Sequence, residues 1–90
     1  MKSIFQTRQF KKDFKKLRKR GKDIEKLKGV VRALAAGEPL EERHRDHPLI
    51  GNWSGFRDCH VVEPDWILIY RVEDECLYLE RTGSHSDLFR

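Results

Sequence analysis

Three of the four histidines in this 90-residue chain lie close in sequence to charged residues with which they could act. The neighbours are Asp46 beside His47, Asp58 two residues before His60, and Arg81 four residues before His85. Histidine is the side chain whose ordinary pKa lies nearest neutral pH, so it exchanges protons under physiological conditions. In a small basic protein this set indicates proton-transfer chemistry on a polyanion, as in a metal-independent ribonuclease.

RNA cleavage of this kind needs a base for the 2′-OH, an acid for the leaving 5′-oxygen, and a cation to offset charge on the phosphorane. Each acid or base role typically contributes about 10²–10⁴-fold to the rate. Arg81 suits the cationic role because its planar fork matches two phosphate oxygens. An aromatic ring can hold a base by stacking, and Phe89 and Trp66 are the candidates.

Each of these residues also has a plain structural interpretation. His44 lies in a charged run and is predicted to be a solvated surface residue. Asp58 could do no more than pair with Arg57 or Arg81, and tryptophans such as Trp53 and Trp66 are more often buried than exposed.

A zinc site built from Cys59, His60, Cys76 and His85 is disfavoured, because adjacent residues of a strand point to opposite faces. We therefore expect no metal and no cofactor. With no CxxC pair, the two cysteines are expected to be reduced thiols of a cytoplasmic protein. No apolar run approaches the length of a membrane span, so we expect no membrane association.

Charge is divided unevenly along the chain. Residues 1–32 hold thirteen Lys/Arg and three Asp/Glu, a net charge of +10. Residues 33–90 hold six Lys/Arg and twelve Asp/Glu, a net charge of −6. The basic segment could simply be a solvated helical face, or it could attract an acidic partner or a phosphate backbone. Together with the histidines, it favours nucleic acid as the partner.

The chain length predicts one domain, residues 1–90, with two helices near its beginning. Residues 2–6 are predicted to form a strand, and Thr7 to cap a helix that ends near Arg20. Phe10, Phe14 and Leu17 form its apolar stripe. A second helix is predicted over residues 23–36. So short a connection predicts a helical hairpin that packs its apolar stripe against a sheet.

The second half of the chain is predicted to form a long loop followed by three strands. The loop covers residues 37–52, and the strands cover residues 53–61, 66–72 and 76–82, with turns at Pro64-Asp65 and Glu73-Asp74. The resulting β-α-α-β-β-β order predicts an α+β fold in which an antiparallel sheet packs against the N-terminal helical hairpin. Alternation places Asp58 and His60 on one face, where His47 and His85 could join them.

Four motifs form a set in the second half of the chain. They are Asp46-His47-Pro48-Leu49, Gly51-x-Trp53-x-Gly55-Phe56-Arg57-Asp58-x-His60, Glu63-Pro64-Asp65-Trp66-Ile67-Leu68-Ile69-Tyr70, and Glu80-Arg81-Thr82-Gly83-x-His85-x-x-Leu88-Phe89. Looser matches are Phe10-Lys11-Lys12-Asp13 and Lys22-Asp23-x-x-Lys26-Leu27. Together they resemble the YafQ branch of the RelE-type toxins of bacterial toxin–antitoxin systems, over effectively the whole chain.

The resemblance implies an endoribonuclease that cuts mRNA in the ribosomal A site without metal. Its products would be a 2′,3′-cyclic phosphate and a 5′-OH. The implied partners are mRNA, the ribosome with its ribosomal RNA, and a cognate antitoxin of the DinJ or RelB type. The complex with the antitoxin would bind operator DNA.

The resemblance also implies a role for each residue of the site. His85 would be the general acid or base nearest the scissile bond, and its catalytic partners would be His47, His60 and Asp65. Asp58 and Trp66 would be supporting residues. Arg81 would be the phosphate-binding cation, and Phe89 the base-stacking aromatic. One departure is an extra residue between His60 and Pro64. It predicts a bulge or a longer turn, which could rotate His60 or Asp65 away from the site.

Two alternatives remain open from the sequence. One is a toxin of the same fold that does not cut RNA, as in gyrase-inhibiting relatives, which generally lack this histidine set. The other is a binding module in which the basic face holds RNA or a protein and the histidines are incidental. Substitution of His85 separates both from a nuclease.

Overall fold

A computed structural model describes residues 1–62 and 65–89, so Glu63, Pro64 and the turn predicted at Pro64 lie outside the described residues. The five strands are β1 (Ser3–Gln6), β2 (His47–Pro48), β3 (Arg57–Val62), β4 (Trp66–Glu73) and β5 (Cys76–Gly83). The helices are α1 (Arg8–Lys19), α2 (Ile24–Ala35) and the single turn α3 (His85–Leu88). The α+β fold with β-α-α-β-β-β order is confirmed, and β2 and α3 are additions to it.

Both long helices begin at a residue that caps them. The Thr7 side chain accepts a hydrogen bond from the backbone N–H of Phe10, as predicted. The Asp23 side chain does the same for Glu25, so α2 begins at Ile24. Between the helices the chain reverses at Gly21, whose φ of 79° favours glycine. The two helices thus form the predicted hairpin.

The five strands form one sheet in the order β1-β5-β4-β3-β2. The pairings of β3 with β4 and of β4 with β5 are antiparallel, as predicted. Strand β2 lies within the predicted loop and also pairs antiparallel with β3. The pairing of β1 with β5 is parallel, which corrects the expectation of a wholly antiparallel sheet. The helical hairpin and the other strands separate β1 from β5 in sequence. No tight turn therefore fixes the direction of β1 relative to β5.

The predicted strand over residues 53–61 begins too early. Gly51–Trp53 forms a 3₁₀ turn, and Gly55 has a φ of 93°. Such a φ is incompatible with extended backbone, so β3 begins only at Arg57. The segment instead folds over the sheet, where Trp53 and Phe56 pack together.

Alternation along the strands gives the sheet two different faces. The face toward α1 and α2 carries the main core, and the opposite face, here called the open face, carries a smaller cluster. That cluster consists of Ile67, Ile69 and Leu88, with Leu49, Trp53 and Phe56 packed around them. None of the helices in the described part of the chain has the length and apolar character needed to cross a bilayer.

Candidate active site

Strand β3 presents Asp58 and His60 on the open face. Their neighbours Cys59 and Val61 lie in the core on the helix side, so the predicted alternation is confirmed. Asp58 is only 3% exposed and His60 only 9% exposed. The pairing of β3 with β4 shifts register between His60 and Val62, directly after the histidine. The irregularity lies in the segment where the sequence has its extra residue, and His60 still lies on the open face.

His85 forms a tight pair with Asp65. Its Nδ1 lies 2.6 Å from Asp65 Oδ1, and its backbone N–H donates to the same oxygen at 2.8 Å. These two hydrogen bonds lower the pKa of Asp65, so the carboxylate remains ionised and Nδ1 carries the hydrogen. Proton exchange with a substrate is then left to Nε2 of His85, whose side chain is half exposed.

His47 and Asp58 form a second pair on the same face. His47 Nδ1 lies 2.6 Å from the carbonyl oxygen of Arg45, and its Nε2 lies 3.1 Å from Asp58 Oδ1. A carbonyl oxygen only accepts, so Nδ1 of His47 carries the hydrogen and Nε2 is the nitrogen that faces the Asp58 carboxyl group. Burial raises the pKa of Asp58, while positive charge on the surrounding histidines lowers it.

The two pairs are brought together by His60. The rings of His60 and His85 have centroids 5.7 Å apart and meet edge to face. On the other side of His85 lies Phe89, with a centroid distance of 6.0 Å, and Phe89 also meets Trp53 at 6.4 Å. The arrangement is a set of titratable groups beside a half-exposed aromatic wall.

The one-turn helix α3 carries His85 and is fixed at its first residue. The Ser84 hydroxyl accepts from the backbone N–H of Asp87, and the Asp87 carboxylate accepts from the backbone N–H of Ser84. Asp87 also receives a hydrogen bond at 3.0 Å from Arg20, the residue directly after α1. The Arg20 guanidinium and the Ser84 hydrogen bonds hold the pKa of Asp87 far below its usual range.

Arg81 pairs with a residue of α1. Within the described part of the chain, no hydrogen bond or ion pair is found between Arg81 and a histidine. Its Nε and one terminal nitrogen donate to the two carboxylate oxygens of Asp13, at 2.9 and 3.0 Å. Asp13 is 6% exposed and also accepts from the backbone N–H of Thr82. The pair therefore joins α1 to the end of β5, just before His85.

Trp66 lies on the helix side of the sheet and not on the open face. It is 4% exposed, and its indole N–H donates to the Thr82 hydroxyl. The ring cannot stack on a base from that position, which corrects one of the two stacking candidates. Phe89 is 38% exposed and adjoins His85, so it remains the candidate for base stacking.

The prediction for His44 is wrong. This residue is only 8% exposed, and its Nδ1 lies 2.6 Å from the carbonyl oxygen of His60. The one-turn 3₁₀ helix Glu42–His44 turns this side chain inward. The charged neighbours of His44 in the sequence gave no indication of its burial.

The contacts of two further residues, Asp13 and Asp46, were not predicted from the sequence. Asp13 had a detectable signal, because it lies on the apolar stripe of α1 between Phe10 and Leu17. Asp46 accepts hydrogen bonds from Arg57 and from the Tyr70 hydroxyl, which fixes the loop before His47. No local pattern indicated that second contact.

Among the described residues, no group of three or more His, Cys, Asp or Glu side chains is arranged to hold a metal ion. Cys59 faces the helix-side core, where burial raises the pKa of its thiol, and both cysteines are free. The histidines, carboxylates and guanidinium groups of the site can supply proton transfer and charge stabilisation.

Comparisons with known proteins agree with this fold. A family model described as the bacterial toxin of a type II toxin–antitoxin system, YafQ, matches residues 2–90. The mRNA interferase toxin YafQ of Escherichia coli K12 is 51% identical over 82 residues, covering 90% of this chain and 88% of the relative. A putative toxin YafQ of Haemophilus influenzae is 36% identical over 87 residues, covering 89% of this chain and 84% of the relative.

Solved structures of relatives match as well. The crystal structure of YafQ from Escherichia coli BL21(DE3) superposes with a TM-score of 0.93 at 46% identity, covering 100% of both chains. The toxin in the Escherichia coli DinJ–YafQ toxin–antitoxin complex superposes with a TM-score of 0.89 at 48% identity, covering 99% of this chain and 98% of the relative. The chain belongs to the YafQ family of toxins of bacterial type II toxin–antitoxin systems.

Proposed function

We propose that this protein is an endoribonuclease that cleaves mRNA in the A site of the ribosome by metal-independent acid–base chemistry. The name of the Escherichia coli relative, an mRNA interferase, supports RNA cleavage as the activity. Ribosome dependence and the A-site position follow from the family resemblance. Residues 1–90 act together as one toxin domain in the cytoplasm, where mRNA and ribosomes meet.

One observation carries the proposal: the Asp65–His85 pair on the open face. The carboxylate fixes the hydrogen on Nδ1, so Nε2 is the nitrogen left for proton exchange in a half-exposed ring. A histidine oriented in this way is prepared to take or give a proton at one defined atom. His60 lies beside it, so a second proton-transfer group is within the same small surface.

The proposed reaction begins with removal of a proton from the ribose 2′-OH. The 2′-oxygen then attacks phosphorus, the bond to the 5′-oxygen breaks, and that oxygen is protonated. The products are a 2′,3′-cyclic phosphate and a 5′-OH, and no water is consumed. His85 and His60 serve as the acid–base pair, each contributing about 10²–10⁴-fold.

The remaining residues support this step in different ways. His47, which is held by the Arg45 carbonyl and faces Asp58, is a further proton-transfer group beside the reacting phosphate. Arg81 also stabilises the phosphorane in this proposal, since Asp13 uses only some of its five N–H donors. Trp66 acts indirectly, by fixing β4 against β5 through Thr82. Phe89 stacks on a base of the bound codon.

The partners follow from charge and from relatives. The basic N-terminal third, with a net charge of +10 over residues 1–32, faces ribosomal RNA. The Escherichia coli DinJ–YafQ complexes support an antitoxin of the DinJ type as the cognate partner. The complex with that antitoxin binds operator DNA in this proposal.

The test is mRNA cleavage on programmed ribosomes in the presence of EDTA, comparing the native chain with His85→Ala. We expect cuts within the A-site codon from the native chain and none from the variant. The variant should keep its fold, because the His85 side chain is half exposed and packs in no core.

Antitoxin binding by His85→Ala serves as the control for folding. Cleavage by a well-folded His85→Ala chain would refute the assignment of this residue. Absence of cleavage by the native chain, together with retained toxicity, would instead favour a non-nuclease toxin of the same fold.

A further inference from the structure

His44 is a buried histidine that the proposed reaction does not use. It ends the 3₁₀ turn Glu42–His44, and Arg45 follows it in a left-handed conformation with φ and ψ both 45°. This conformation is uncommon for a residue other than glycine. It reverses the chain between two histidines that contact different residues, His44 toward His60 and His47 toward Asp58.

The contact of His44 with β3 is specific in its chemistry. Nδ1 of His44 lies 2.6 Å from the carbonyl oxygen of His60, and a carbonyl oxygen only accepts hydrogen bonds. Nδ1 of His44 therefore carries the hydrogen. The acceptor belongs to the backbone of a residue whose side chain adjoins His85, with ring centroids 5.7 Å apart.

The backbone of His60 lies where strand pairing gives it limited support. Strand β2 pairs with β3 only at Arg57 and Asp58, so it ends before His60. On the other side, the pairing with β4 loses its regular register between His60 and Val62. The imidazole of His44 thus donates to the β3 edge at the position where a neighbouring strand would have supplied an N–H group.

We propose that His44 is a positioning residue that holds the His60 backbone so that the His60 imidazole stays beside His85. The inference rests on the proposed ribonuclease function for its kinetic consequence. The positional effect itself is a property of the folded chain and is measurable without any substrate. Loss of the hydrogen bond should displace His60, and a displacement of about 1 Å in an acid–base group can lower the rate on the order of 100-fold.

The kinetic test is a double-mutant cycle with His44→Phe and His60→Ala, measured as kcat and KM on programmed ribosomes. Phenylalanine keeps a ring of similar size but has no donor. We expect His44→Phe to lower kcat by about 10–100-fold with KM unchanged. In the His60→Ala background the same substitution should have no further effect. Equal losses in both backgrounds would overturn the proposal.

Conservative rescue separates positioning from packing. In His44→Asn the side-chain N–H₂ can take the place of Nδ1–H, so cleavage should recover most of what His44→Phe loses. Glu42→Gln changes an exposed residue of the same turn and should leave kcat unchanged. If the asparagine variant is no better than the phenylalanine variant, the hydrogen bond is not what positions His60.

A spectroscopic readout makes the inference independent of activity. In a ¹H–¹³C correlation spectrum of the full chain, His44→Phe should move the imidazole signals of His60, and His44→Asn should return them. Unmoved His60 signals in a folded His44→Phe chain would refute the positioning role. Moved signals with no cleavage by the native chain would retain the positioning role and refute the proposed function.

Discussion

At the residue scale, three of the four histidines have the same ring nitrogen fixed by a neighbour. In each of them Nδ1 lies 2.6 Å from an acceptor oxygen. The acceptor is the carbonyl of His60 for His44, the carbonyl of Arg45 for His47, and the carboxylate of Asp65 for His85. Fixing one nitrogen defines the tautomer and leaves Nε2 as the reactive atom. His85 combines this arrangement with an ionised carboxylate and a half-exposed ring.

This geometry predicts the effect of changing Asp65 to Asn. The amide cannot be ionised, and its N–H₂ group can favour the wrong tautomer of His85. We expect kcat for cleavage to fall by about 10²–10⁴-fold, with little change in KM. Single-turnover kinetics on programmed ribosomes measure it.

The charge-matched control for Asp65→Asn is Asp74→Asn. Asp74 is exposed in the β4–β5 turn, and its φ of 55° is one that asparagine tolerates. Its substitution should leave kcat unchanged. A comparable loss in both variants would show that net charge, and not the pair with His85, determines the rate.

At the element scale, the helical hairpin holds the end of the chain that carries the site. Asp13 of α1 binds Arg81 and Thr82 of β5, and Arg20 at the end of α1 binds Asp87 of α3. Both contacts flank Gly83, whose φ of 154° lets the chain turn from β5 into α3. Part of the charge on α1 is therefore used within the fold.

The Asp87 contacts predict a pH-dependent loss of stability. The folded-state pKa of Asp87 is far below its usual value, because the carboxylate binds Arg20 and Ser84. Its stabilisation is therefore fully present above the unfolded pKa of about 4 and is lost as pH falls from there toward the folded pKa. Asp87→Asn should lower the free energy of unfolding at pH 7 by about 1–2 kcal/mol.

Urea unfolding of the native and Asp87→Asn chains at pH 7 and pH 3 provides the measurement. The difference between the two chains should be smaller at pH 3, and the variant should also cleave more slowly because α3 carries His85. Asp74→Asn is again the matched control. A difference that is the same at both pH values would contradict an ionised, paired Asp87.

At the scale of the whole molecule, positive charge is concentrated on the helical hairpin and the titratable pairs lie on the other side of the sheet. Lys11, Lys15 and Lys19 are exposed and recur every four residues, so they share one face of α1. Under the proposed function, the basic face binds RNA while the open face carries the proton-transfer groups. Binding should then weaken steeply with salt, because each phosphate contact releases counterions.

The combined variant Lys11→Gln, Lys15→Gln, Lys19→Gln tests this separation. We expect the slope of log affinity for ribosomes against log salt to decrease in magnitude by about 2–3, since each phosphate contact contributes roughly 0.7–0.9. The value of kcat at saturation should remain unchanged. Fluorescence anisotropy across a salt series gives the slope, and Arg43→Gln, an exposed cation outside α1, should not alter it. An unchanged slope in the combined variant would exclude this face of α1.

The sequence by itself determined the order of the elements, the apolar stripe of α1 and the common face of Asp58 and His60. These follow from local periods of 3.6 and two residues, which depend only on near neighbours in the chain. The family motifs predicted the candidate site residues, and the structure joins His85 to Asp65 and His47 to Asp58.

Only the tertiary structure decided how distant segments use their polar groups. Arg81 pairs with Asp13 across 68 residues, β1 runs parallel to β5, and His44 turns inward to the backbone of His60. Alternation along β4 determines which residues share a face with Trp66. It does not determine which of the two faces the helical hairpin covers, and the hairpin covers the face of Trp66. Contacts of this kind depend on packing between segments far apart in sequence, and no local period of the chain encodes them.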